Sequence, residues 1–329
     1  MLFSSRRRRG SQRGYFTVIE NNLAGEVFDP TLTTLVPTTV IWASSDGYTA
    51  VTTGTTHNIS YTVPADGPRT WHIYCGVGLA SIRTFDMNTD NLIHIDVSLL
   101  RSATSMVAYT NASLVMKLTD LPIGLTTASF GADPLLTGDI ATLPIGLTTA
   151  DFSYDPLLTG DISTLPIGLM YAYFSSDLLL TGDISTLPIG LKDAYFYNDT
   201  LLTAGSIASL SVIRDIRLYS IGWNAASVDT VLLSVSDAIH ADVNHFTYAT
   251  PSLQIGGTNA SPGGTPAAAT TDPLTTPGSG NSDTDWQWDA VAGKHKALTG
   301  MAAIWVMRNN TGHAWTCLLY TSPSPRDRG

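Results

Sequence analysis

The sequence predicts a β-rich α+β fold: a repeat solenoid with a parallel concave sheet, an N-terminal small β-sandwich and an α/β C-terminal cap. Three observations predict it. Only 13% of the 329 residues are charged, against roughly 25% in an ordinary soluble domain. The missing ones are helix formers: Glu stands only at 20 and 26, and Lys only at 117, 192, 294 and 296. Four central segments align without gaps at a period of 22 residues, and such a period marks units that bury an apolar face only against their neighbours. Residues 15–80 alternate apolar and polar side chains in short runs between turn residues, as half-buried strands do.

Residues 1–14, with arginine at 6 to 9 and at 13, are expected to be a disordered basic tail. No signal peptide is visible, because Tyr15-Phe16-Thr17-Val18-Ile19 is too short for its apolar core and is closed by Glu20. Residues 15–80 hold strand-like runs at Thr39–Trp42, Asn58–Val63 and Thr70–Tyr74, with turns expected at Asp46-Gly47, Thr53-Gly54 and Asp66-Gly67-Pro68. The order Trp42, Asp46-Gly47, His57, Tyr61, Gly67, Trp71, Ile73 resembles polycystic-kidney-disease (PKD)-type domains of bacterial surface proteins.

The repeats follow. Leu121, Leu143, Leu165 and Leu187 each begin LPIGL; Ala128, Ala150, Ala172 and Ala194 recur in step, as do Phe130, Phe152, Phe174 and Phe196. Asp133, Asp155, Asp177 and Asp199 come next, then Leu135, Leu157, Leu179 and Leu201, and LTGDI closes three units. The spacing Leu125-x-x-Ala128-x-Phe130-x-x-Asp133-x-Leu135 resembles the leucine-rich repeat, with Asp where that family usually has Asn, and LTGDIxxLP resembles the turn of its plant-type members. With looser copies on both sides, about seven units are expected over residues 81–223. The resemblance implies a leucine-rich-repeat solenoid; Pro-Ile-Gly falls where a convex helix would lie, so extended or 3₁₀ turns are expected there.

Period-2 geometry then says which side chains face out. With Ala and Phe of each short strand in the core, their neighbours face solvent. This column becomes a tyrosine patch edged with charge: Tyr171, Tyr173, Asp193, Tyr195, Tyr197, Arg217 and Tyr219 are the expected ligand-binding face. Clustered tyrosine offers large rigid area with little entropy to lose; alternatively, tyrosine simply suits a solvent-facing strand and stabilises it across strands. The aspartate column is expected to be structural. Stacked carboxylates about 5 Å apart repel by roughly 3 kcal/mol at an effective dielectric of 20, so Asp133, Asp155, Asp177 and Asp199 must be hydrated, saturated with N–H donors, partly protonated or bridged by a cation. Calcium bridging to Asp139, Asp161 and Asp183 is the lesser alternative, since no unit has a dense Asp and Gly loop.

Residues 224–255 read as a capping helix and strand: Asn224 opens a run with Val228, Val231, Leu232, Val235, Ala238, Ile239 and Val243 at helical spacing, and Ser252–Ile255 is strand-like. Residues 256–285 are expected to be a flexible loop rich in Gly, Pro and Thr; within 286–317, Leu298–Arg308 reads as a helix and Ala314–Thr316 as a strand. Trp286 and Trp288 are expected to pack the cap rather than hold a sugar, and His240 and His245 to be surface or helix-terminal partners rather than metal ligands. The strings SLQIGGTNASPGGT and GHAWT resemble segments that follow such repeats in phage tail-associated and bacterial surface proteins. Residues 318–329 resemble a translated sequencing adapter, as at metagenomic contig ends, and are expected not to be native.

Composition excludes several classes. No apolar run reaches the about 20 residues of a membrane span. Two cysteines cannot make a disulfide framework. From Gly14 to Cys317 there are 10 basic and 26 acidic residues, so nucleic-acid binding by the folded part is disfavoured. No HExxH, GxSxG, P-loop or GxGxxG occurs. The expectation is a non-enzymatic, cofactor-free recognition protein that acts outside the producing cell, on a virion or cell surface. A purely structural spacer is the rival, and a glycan-degrading enzyme the distant third. The resemblance implies a phage tail component or an adhesin that binds a protein or carbohydrate of a host or cell surface.

Overall fold

The computed structural model describes residues 15–264, 285–309 and 314–318, apart from 77, 80–81, 88–90, 98–99, 290 and 293. The expected basic tail at 1–14, positions 265–284 of the expected loop and residues 319–329 lie outside these. The chain is β-rich, with two α-helices among the described residues and a parallel β-solenoid. It divides into two compact units, Met1–Thr137 and Gly138–Gly329, so the division falls inside the repeats.

In the first unit the long strand Thr31–Ser44 organises the sheet. Along one edge it pairs with Thr49–Asn58. Its other edge is shared: Val40–Ser44 meets Arg69–Cys75, and Thr31–Thr34 meets Ile82–Asp86. Residues 15–80 therefore do not stand apart as the expected small sandwich. The edge that a separate domain would leave open pairs instead with the first repeat-like strand, which continues in parallel through Ser105–Val107 and Thr127–Ser129. The expected turn at Thr53-Gly54 is also corrected: both residues lie within Thr49–Asn58, opposite a register shift between Thr33 and Thr38. Pro37, which has no N–H to give the sheet, sits in that shift, and Gly54 at φ +118° lets the partner strand follow it.

The second unit carries six parallel strands in the order Thr149–Asp151, Tyr171–Tyr173, Asp193–Tyr195, Asp215–Arg217, Ser252–Gln254 and Thr316–Leu318. Ala150, Ala172, Ala194, Ile216, Leu253 and Cys317 align across them and are buried. Phe152, Phe174 and Phe196 are fully buried and stacked, with centroids 5.7 and 5.8 Å apart. The final strand lies at Thr316–Leu318 rather than Ala314–Thr316. A second small sheet closes the opposite edge of the units, Gly138–Asp139, Leu158–Asp161, Leu179–Asp183 and Leu202–Thr203.

The loops are built from the repeat motif itself. Asp139, Asp161 and Asp183 accept the N–H two residues on and so cap 3₁₀ turns at Ile140–Thr142, Ile162–Thr164 and Ile184–Thr186. These 3₁₀ turns end before Pro-Ile-Gly, because the residue before each proline is held extended. Pro-Ile-Gly-Leu then makes a tight turn of its own, with the Leu147, Leu169 and Leu191 N–H groups on the proline carbonyls. Leu157, Leu179 and Leu201, aligned with the last leucine of the leucine-rich pattern, are half exposed, and the next residue (Leu158, Leu180, Leu202) is the buried one.

Beyond the repeats, helix α1 (Ala225–Ala241) is capped by Asn224 through the Ser227 N–H, and its face from Val228 to Ile239 is buried. Val243 lies past the helix end and is exposed, so it drops out of the expected apolar face. Helix α2 (Gly300–Arg308), capped by Thr299, packs against α1. Trp286 is buried edge-on to Trp305, while His240 pairs with Asp289 at 3.0 Å and His245 with the Ala208 carbonyl. Among the described residues no helix is long and apolar enough to cross a membrane.

Candidate recognition face

The face lies wholly within the second unit, and its strands are short for a local reason. Each chain turns at Pro-Ile-Gly-Leu, where the Leu169 and Leu191 N–H groups bond back to the proline carbonyls. Three residues of strand follow, and the path bends again at a residue in the left-handed region. Tyr154, Ser176, Asn198 and Ser220 take φ between 60° and 68°, 22 residues apart. Parallel pairing runs on to these residues, since the Tyr154, Ser176 and Asn198 N–H groups reach the Ser175, Tyr197 and Tyr219 carbonyls.

Backbone register fixes the outward rows. Tyr171, Asp193 and Asp215 align, as do Asp151, Tyr173, Tyr195 and Arg217. The rings are in contact along the rows. Tyr173 and Tyr195 lie 4.8 Å apart and tilted, the Arg217 guanidinium covers Tyr195 at 4.0 Å, and Tyr197 and Tyr219 stack in parallel at 4.5 Å. All five tyrosines of the expected face, and Arg217, are partly exposed.

Their polar ends are held as well. Tyr173 donates to Asp193 Oδ2 at 3.2 Å and Tyr195 to Asp215 Oδ2 at 2.8 Å, where Arg217 also donates. Burial and the bond to Asp215 push the Tyr195 phenol up to about 12, and burial with the charge of Asp193 raises Tyr173 further, so both remain donors across the physiological range.

Asp193 is the correction. Expected on the open face, it is only 2% exposed, because Arg214 lies over it and forms a two-nitrogen pair with its carboxylate. Arg214 was missed because it precedes its strand; the signal was the column 148, 170, 192, 214, which turns basic one position ahead of the aspartates. Tyr154 was missed because it lies in a turn. It is 51% exposed and its hydroxyl meets that of Tyr197 at 2.8 Å.

The aspartate column lies behind this face. Asp155, Asp177 and Asp199 are fully buried, with the Asp155 N–H on Asp177 Oδ1 and the Asp177 N–H on Asp199 Oδ1, each at 2.8 Å. In the first unit Asp133, likewise buried, accepts the Asn111 N–H. Among the described residues no group of three His, Cys, Asp or Glu side chains is placed to hold a metal ion. In comparisons with known proteins, no family model, curated protein or solved structure matches the chain.

Proposed function

We propose that the chain is a non-enzymatic recognition protein whose 22-residue units are leucine-rich repeats and whose tyrosine-lined strand face binds a protein or carbohydrate of a host or cell surface. It acts outside the producing cell, as a phage tail- or virion-associated component or a bacterial surface adhesin, and needs no cofactor. One observation carries this: Tyr173, Tyr195 and Arg217 are fixed by register, ring contact and hydrogen bonds before any partner arrives. A face already ordered loses little rotamer freedom on binding, which is where affinity is usually lost. Its charges are paired within the face, Arg214 with Asp193 and Arg217 with Asp215, so a partner meets rings and hydroxyls rather than a strong field.

The spacer reading is favoured by the same packing seen from the other side. Tyr197 and Tyr219 stack within 5° of parallel, and such pairs stabilise a sheet without any ligand. Tyr173→Ala with Tyr195→Ala separates the two. Binding to purified surface polysaccharides and to host cells should be abolished while the melting temperature falls by only a few degrees and the fold is kept. A collapse of the fold, or unchanged binding, favours the spacer; hydrolysis of a polysaccharide by purified protein would revive the enzyme.

A further inference from the structure

We propose that Asp177 and Asp199 are neutral carboxylic acids in the folded protein, each with a proton on Oδ2, so that the solenoid is tightened by acid and loosened by alkali. The geometry comes from comparing rungs. On both side chains Oδ1 accepts a backbone N–H from the neighbouring rung, and Oδ2 is buried with no hydrogen-bond partner among the described residues.

Asparagine solves the same problem differently at two other turns. Asn259 accepts the Ile221, Gly222 and Trp223 N–H groups on Oδ1, and its Nδ2 donates to the Leu218 and Ile255 carbonyls. Asn111 accepts the Leu92 N–H and donates Nδ2 to the Tyr109 carbonyl. The second side-chain atom of such a turn is a donor. An ionised aspartate has none to offer, and a protonated one does.

The charges around the column act in the same direction. Asp155 and Asp199 on the adjoining rungs and Asp151 on the neighbouring strand face Asp177, and all are acids. Burial, with this repulsion added, raises Asp177 well above the ordinary carboxylate range, and burial brings Asp199 up to about 8. Asp133 in the first unit is also brought to about 8 by burial.

The sign follows from proton counting. In the unfolded chain these carboxyls titrate near about 3.9. Between that value and about 8 the folded state holds protons that the unfolded state has lost, so unfolding releases them. Their contribution is complete below the unfolded value and disappears as pH rises through the folded one. Asp161, held low by the Ser163 N–H, works oppositely, but only as pH falls below the ordinary carboxylate range.

The experiment uses the full chain. Its melting temperature should fall from pH 7 to pH 8.5, above the range in which His57, held below its ordinary value by burial, makes stability rise with pH. Asp177→Asn with Asp199→Asn should flatten that slope and raise the melting temperature at pH 8.5. Infrared spectra in deuterated buffer at pH 7 should show a carboxylic-acid carbonyl band that the double variant reduces. Absence of that band in the wild-type protein overturns the proposal, even if the variant fails to fold. So does a melting temperature that rises with pH over this range, or one that added calcium raises at pH 8.5, which would mean a bridged carboxylate.

Discussion

The same strands carry two aromatic stacks, one on each side, and the two are held differently. On the inner side Phe152, Phe174 and Phe196 repeat at 5.7 and 5.8 Å, fully buried. Phenylalanine has no polar handle, so packing alone sets those intervals. On the outer side Tyr173 and Tyr195 approach to 4.8 Å, and Tyr197 and Tyr219 to 4.5 Å, although the backbone register is the same. There Arg217, Asp193, Asp215 and the Tyr154 hydroxyl take hold of the rings. The lesson concerns the division of labour: the inner stack converts the repeat into stability, while the outer one converts it into a fixed orientation.

The largest effect should therefore come from inside. Phe174→Ala removes the middle ring of a sealed stack and should lower unfolding free energy by about 3–5 kcal/mol in urea titration. Tyr173→Ala on the other side of the same strand should cost only about 0.5–1.5 kcal/mol. Equal losses would break the contrast.

A second variant asks whether the loops hold the register independently of either stack. Gly182 has φ +117°, and a Cβ there would lie 2.5 Å from Asp161 Oδ1, which cannot simply retreat because it caps a 3₁₀ turn through the Ser163 N–H. Gly182→Ala should cost about 1–3 kcal/mol, read from the same titration. A neutral result would show that this loop contact adds nothing to the register that backbone pairing and the aromatic stacks already hold.

The period of 22 and strand alternation were enough to place both stacks, because each side chain's side follows from counting. Counting failed where a residue outside the strand decides the outcome. Asp193 is outward by alternation and buried by Arg214. At Asp155-Pro156-Leu157-Leu158 the pattern offers two leucines, and the turn that brings the Leu158 N–H to the Asp155 carbonyl selects the second. At Gly54 a positive φ serves a bulge as readily as a turn, and the choice was made by Pro37 on the partner strand. The αL positions carry Tyr, Ser and Asn rather than Gly, so no residue type announced them. The C-terminal helices were legible because apolar spacing is local and Asn224 announces the first, but the second begins at Gly300 rather than Leu298, behind a Thr299 cap that the spacing alone did not mark.

The smallest effect tests the outer stack alone. Asp215 accepts from Tyr195, and Arg217 pairs with it while covering the same ring. Asp215→Asn keeps an acceptor and removes the charge. Burial is the larger cause of the raised Tyr195 phenol, so ultraviolet titration should show it moving down from about 12 without returning to its ordinary value near 10. While the shift lasts, the folded state keeps this proton longer than the unfolded one. The wild-type protein therefore loses stability as pH rises from about 10 to about 12, and the variant should lose less over that interval. The stability change at neutral pH should stay below about 1 kcal/mol, because the pair is partly exposed. A phenol that returned fully to its ordinary value would show that the hydrogen bond, and not the packing of the rings, positions Tyr195. The outer stack would then be a polar network that happens to contain rings, and its likeness to the phenylalanine column would be one of spacing only.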